Sequence, residues 1–187
     1  MEKKPLYSIG HGNRKLNDFL DLLKKFGIEY LIDVRSQPYS KFNPQFNQAQ
    51  LDYFLKENGV KYVFMGDSIG GRPTDPTCYD DEGKVDYEAV KTKEFFKKGV
   101  DRLKTAYEKD VTVALMCSES KPMECHRSKL IGRVLSAENV FIQHIDENGK
   151  LKDQATVITE LNKGKNDVDL FGNSENQTSR TSYVRNV

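Results

Sequence analysis

Val111-Thr-Val-Ala-Leu-Met116, running straight into Cys117-Ser-Glu119-Ser-Lys-Pro-Met-Glu-Cys125-His126-Arg127, is the stretch on which the fold turns. A short β-rich run that breaks into a polar loop and then a helix has the form of the carboxyl end of a buried parallel strand. Open α/β sheets place their ligand sites at such ends. The loop also gathers two of the three cysteines, one of the three histidines, two carboxylates and an arginine, so it reads as an active-site loop.

Outward from this stretch the same alternation recurs. Leu6–Ile9 reads as a strand, and Leu16, Phe19, Leu20, Leu23 and Phe26 follow at helical spacing until Gly27 stops them. Tyr30–Val34 is a second strand, a proline-containing loop runs through Phe46, and Leu51, Phe54 and Leu55 mark a helix ended by Asn58-Gly59. Lys61–Met65 is a third strand, and a long Gly/Pro/Asp-rich loop extends to about Asp86. Phe96, Val100, Leu103 and Tyr107 give the stripe of a third helix. Beyond the central loop, a helix from Cys125 turns Leu130, Ile131, Val134 and Leu135 inward. Val140–Ile145 is a fifth strand, followed by an Asn148-Gly149 turn and a short helix near Ala155–Leu161. This rhythm predicts one α/β domain over residues 1–163: three layers, with a mostly parallel sheet of about five strands and helices on both faces. Residues 164–187 have no apolar period and are rich in Asn, Ser, Thr and Asp, so they read as a flexible polar tail.

The 187 residues suffice to bury a core without disulfide or metal staples. With 29 basic against 28 acidic side chains, net charge argues for neither a nucleic-acid coat nor a membrane surface, and anion binding must come from local clustering. No run has the roughly 18 apolar residues of a membrane span. An odd number of cysteines without framework spacing points to free thiols, hence to a cytoplasmic setting.

Parallel strands deliver their carboxyl ends to one edge, which brings four loops together. They carry His11 and Arg14; Asp33 and Arg35; Gly70-Gly71-Arg72-Pro73; and Cys117, Glu119 and Arg127. Glycines leave amides free to cradle an anion, and the arginines add fork-shaped donors for phosphate or carboxylate. Cys117, at a strand end leading to a helix amino terminus, reads as a nucleophile, ligand or redox thiol with a lowered pKa; the alternative is a small residue closing the strand. Glu119, Asp33 and His11 are the candidate acids and bases, with salt-bridging to the arginines as the competing role for the two carboxylates. Cys125 and His126, taken as the first helical residues, leave the axis about 100° apart, which makes one of them structural. A tyrosine-phosphatase loop needs an arginine six positions after its cysteine, and Met123 stands there. His11, Cys117 and Cys125 form a soft-ligand set for zinc or iron, weakened by the lack of any Cys-x-x-Cys pair. A reversible Cys117–Cys125 disulfide is a further option. His144 reads as structural and Cys78 as an incidental thiol.

Tyr39, Phe42 and Phe46 interleave with Lys41 in the loop after the second strand, a pattern that either stacks on a nucleotide base or packs the loop onto the sheet. In the tail, Asp167-Val-Asp-Leu-Phe171 resembles the Leu-Phe-ending peptides that dock DNA-processing proteins on a sliding clamp, though its first position lacks the usual glutamine.

Four blocks in order, Tyr7-Ser-Ile-Gly-His-Gly-Asn-Arg14, Ile32-Asp-Val-Arg35 with Pro38 and Ser40, Gly70-Gly-Arg-Pro73, and Cys117-x-Glu119 with Cys125-His-Arg127, resemble the domain of unknown function 488 family. The likeness spans roughly residues 5 to 160, and the family usually has Gly-His-Ser where this chain has Gly10-His11-Gly12. It implies an α/β domain with the paired-cysteine motif at its functional centre, and no reaction. Two functions are thus expected: a thiol-dependent or metal-assisted transferase or hydrolase acting on an anionic, phosphorylated, nucleotide or nucleic-acid substrate, or a non-catalytic nucleotide or nucleic-acid binding module recruited to a DNA-processing partner through its tail.

Overall fold

Leu6–Gly10 (β1), Tyr30–Asp33 (β2), Lys61–Phe64 (β3), Val113–Cys117 (β4), Ile142–Ile145 (β5) and Leu151–Asp153 (β6) form one sheet in the order β3-β2-β4-β1-β5-β6. The computed structural model describes residues 3–164 and 177–183. Helices Leu16–Lys25 (α1), Gln48–Glu57 (α2), Tyr87–Thr92 (α3), Glu94–Glu108 (α4), Arg133–Ala137 (α5) and Gln154–Leu161 (α6) connect or follow the strands. Every pairing is parallel except β5 with β6.

The period of two along β4 decides the layers. Val113, Leu115 and Cys117 pack with Phe96, Val100 and Leu103 of α4 and with Leu130 and Leu135 around α5. Ala114 and Met116 face the opposite layer, Phe19, Leu20 and Leu23 of α1 with Leu51 and Leu55 of α2. All five β4 residues are buried, as befits a strand covered on both faces. The expected three-layer α/β fold is therefore present. The sheet has six strands rather than about five, because the Asn148-Gly149 turn closes a hairpin in which Asp146 N–H donates to Lys150 O at 2.9 Å. The added β6 is three residues long and mostly exposed, so it carries no apolar pattern. Helix α3, also unforeseen, starts where the Asp86 carboxylate accepts from the Glu88 and Ala89 amides.

The helix assigned to Cys125 onward begins two residues later. Cys125 is extended (φ −116°, ψ 150°), and Arg127–Gly132 form a wide π-helical turn before α5. Cys125 is consequently not on the helix, and the 100° argument separating it from His126 does not apply.

His144 is structural, fully buried between Ser8 Oγ at 2.6 Å and Gln154 Oε1 at 2.7 Å. Burial drives the pKa of both His144 and His11 from 6.5 down to about 4. Below pH 6.5 the unfolded chain takes up protons that these native rings refuse, so stability falls with pH between about 6.5 and 4, by roughly 3 kcal/mol per ring. A His144→Gln variant is expected to shed about half of this acid sensitivity in urea unfolding at pH 6.5 and 4.5; an unchanged difference would assign the loss to carboxylates.

Residues 177–183, which composition assigns to the flexible tail, lie along the segment 78–87. Tyr87 N–H donates to Gln177 O at 2.8 Å, Ser179 N–H to Val85 O at 2.9 Å and Tyr183 N–H to Gly83 O at 2.8 Å. The Asp167–Phe171 motif lies outside the described residues. No described helix is long and apolar enough to cross a membrane.

Candidate active site

The carboxyl ends of β1, β2 and β4 lie side by side, with Gly10 in register with Cys117 and Asp33 with Met116. The loop after β4 folds directly over β1: His11 N–H donates to Cys117 O and Gly12 N–H to Ser118 O, both at 2.9 Å. This passage requires glycine at position 10, where a Cβ would fall 1.8 Å from Glu119 O. Arg127 secures the same loop from below. Fully buried, it donates through Nη2 to Glu119 O at 2.8 Å and through Nη1 to Ser8 Oγ at 3.0 Å.

A cleft of about 360 Å³ opens above these strand ends, lined by Arg35, Tyr39, Gly71, Arg72, Cys117, Glu119 and His126 among others. At its floor the Cys117 thiol donates to Glu119 Oε2 at 2.8 Å, and His126 Nδ1 lies 3.8 Å from Cys117 Sγ and 3.6 Å from Cys125 Sγ. Gly71 makes room for that imidazole, since a Cβ there would lie 2.8 Å from Nδ1. Cys117 and His126 both line the cleft, whereas Cys125 backs them from the interior.

Electrostatics divide the two thiols. Burial raises Cys125, but the Cys117 thiol beside it and the charges of His126 and Arg127 outweigh burial and hold it well below the ordinary thiol range. Cys117 is held well above that range by the Cys125 sulfur beside it, by burial and by the anionic charges of Cys125 and Glu119. The expected lowering at Cys117 is thus found at Cys125, which is favoured by Cys117, His126 and Arg127 around it. Its backbone contact is direct: Arg127 N–H donates to Cys125 Sγ at 3.4 Å. Glu119 is raised above the usual carboxylate range by Cys125 and then by burial, which makes it a better proton acceptor. Burial opposes charge on His126, but Cys125 and Glu119 outweigh it and raise its pKa.

Cys117, Cys125 and His126 also place one ligand atom each within 4.8 Å of one another, the donor set of a soft metal ion. His11 is not part of that set. It lies stacked on Phe46 with ring centroids 4.5 Å apart, 3 % exposed and outside the cleft lining.

The arginine group is smaller than the sequence suggests. Arg14 donates to Gly10 O and Asp146 O, and Arg127 is an internal brace; neither lines the cleft. Arg35 lines it while paired with buried Asp33, so Asp33 serves the arginine rather than proton transfer. Arg72 remains, its guanidinium 4.2 Å from the Tyr183 ring centroid. Of the loop aromatics, Tyr39 is 67 % exposed at the rim and Phe42 94 % exposed, whereas Phe46 is fully buried, packing the loop onto the sheet. Arg180 and Tyr183 line the cleft as well and carried no sequence signal, since their segment is fixed by backbone hydrogen bonds rather than by an apolar pattern.

The family model described as "Domain of unknown function DUF488" matches residues 15–134. No curated protein and no solved structure matches the chain.

Proposed function

Because the chain belongs to the DUF488 family, whose description assigns no reaction, we propose a function from the site itself: a thiol-dependent enzyme acting on an anionic substrate. The observation that supports it most is the 2.8 Å contact between Cys117 Sγ and Glu119 Oε2 at the floor of a cleft bearing Arg35 and Arg72. In this reading Cys117 Sγ attacks the electrophilic atom of the substrate as its proton passes to Glu119. The leaving group departs with its electron pair and takes that proton back from Glu119. Arg72 holds a phosphate or carboxylate, and the exposed face of Tyr39 suits a nucleotide base.

The test is alkylation at pH 7 by iodoacetamide, followed by peptide mass spectrometry. Cys117 is expected to react at least about tenfold faster than the fully buried Cys78, and Glu119→Gln to remove most of that advantage. Equal labelling of the two thiols would sink the proposal. A second reading, metal-assisted hydrolysis with Glu119 as base, is favoured by the convergence of Cys117, Cys125 and His126 within 4.8 Å. Stoichiometric zinc or iron in protein purified without chelator would replace the thiol reading with that one.

A further inference from the structure

The cleft has a wall that the family match does not reach. Ser179, Arg180, Thr181 and Tyr183 lie beyond the matched residues 15–134, yet they line the same cavity as Cys117 and Glu119. Their segment is fastened through its backbone. Ser179, 5 % exposed, donates its N–H to Val85 O while its Oγ accepts from Val85 N–H, and Thr178 bridges Asp86 antiparallel. Ser182 Oγ donates to Glu82 O at 2.7 Å. Because main-chain and hydroxyl contacts hold the strap, the Arg180 and Tyr183 side chains are left for the cleft.

Charge shows what the strap adds. Histidine aside, the rest of the lining sets Arg35 and Arg72 against Glu119 and Glu124, which is neutral, and Arg35 is already committed to Asp33. With the Arg35–Asp33 pair set aside, Arg180 joins Arg72 to balance the two lining carboxylates and adds a second guanidinium not held by a buried acid. Its own partner is Glu124, with Nη1–Oε2 at 3.2 Å and side chains 62 % and 40 % exposed. An exposed pair of this kind is weak enough for a ligand anion to displace the carboxylate.

We propose that residues 177–183 form part of the substrate site, with Arg180 exchanging Glu124 for an anionic group of the substrate that Arg72 also binds. The inference deepens the reading above and rests on it for where the reaction occurs. The substrate class it names is one with a phosphate-type dianion or a diphosphate, matched to two guanidinium forks.

The experiment is calorimetric titration of the full-length chain with inorganic pyrophosphate. Arg180→Ala is expected to weaken binding about tenfold, whereas Glu124→Gln binds as tightly as the wild type or more so, because it frees Arg180. The assignment is overturned if the wild type does not bind pyrophosphate, if Arg180→Ala binds as well as the wild type, or if Glu124→Gln weakens binding as much as Arg180→Ala does. Hydrogen exchange at the Val85 and Tyr87 amides is expected to stay slow in Arg180→Ala; opening of both would make Arg180 a fastener of the strap and overturn its role as a ligand. Pyrophosphate binding that depends on Arg180, with Cys117 unreactive, would remove the thiol chemistry and keep the wall. A reactive Cys117 with binding indifferent to Arg180 would do the reverse.

Discussion

An Asp33→Ala variant is expected to lose roughly 3–5 kcal/mol of stability, measured by urea unfolding. Asp33 is fully buried and Arg35 5 % exposed. The carboxylate accepts from Arg35 Nε at 2.9 Å, Arg35 Nη2 at 2.6 Å, Arg35 N–H at 3.1 Å and Tyr62 Oη at 2.8 Å. Removing it leaves a buried guanidinium with, among the described residues, only the Phe46 carbonyl, at 2.8 Å, and His11 Nε2, at 3.4 Å, as partners. The cost comes from the stranded charge more than from the lost attraction, so Asp33→Ala combined with Arg35→Leu is expected to recover part of the loss. A double variant no more stable than Asp33→Ala would show that shape, rather than charge, sets the requirement.

Phe46→Ala is expected to cost a similar amount, about 3–5 kcal/mol. The Phe46 ring is fully buried, lies nearly parallel to His11 with an interplanar angle of 14°, and meets Phe19 edge-on at 5.1 Å. Truncation opens a void against α1 and wets His11. The pKa of His11, held to about 4 mainly by burial, is then expected to rise toward 6.5 in an NMR titration. A Phe46→Ala protein of near wild-type stability would mean that the loop closes over the gap.

The layers were legible because β4 and the helices beside it carry unbroken apolar periods. Elements without such a period were not: β6 is a short edge strand, and α3 announces itself only through its Asp86 cap. At the site, convergence of the four loops followed from parallel topology, and Cys117, Glu119 and Arg72 lie where that argument put them. Which arginines serve as internal braces was not readable, because a guanidinium that donates to a backbone carbonyl and a serine hydroxyl, as Arg127 does, looks in sequence like one kept for a ligand. His126 was undervalued for a local reason, the assumption that a helix begins at Cys125 when the chain is still extended there.

Strand β1 is central to the sheet, yet its two neighbours are β4 and β5, with Ser8 in register with Leu115 and His144. The partners of the first strand thus arrive more than 100 positions later in the chain, and the closure entropy of those separations must be met before any contact rewards it. Strands β2 and β3, by contrast, are neighbours both in sequence and in space. The loop bearing Cys117 rests on β1 through Gly10 and His11, so the candidate site depends on a pairing between distant parts of the chain.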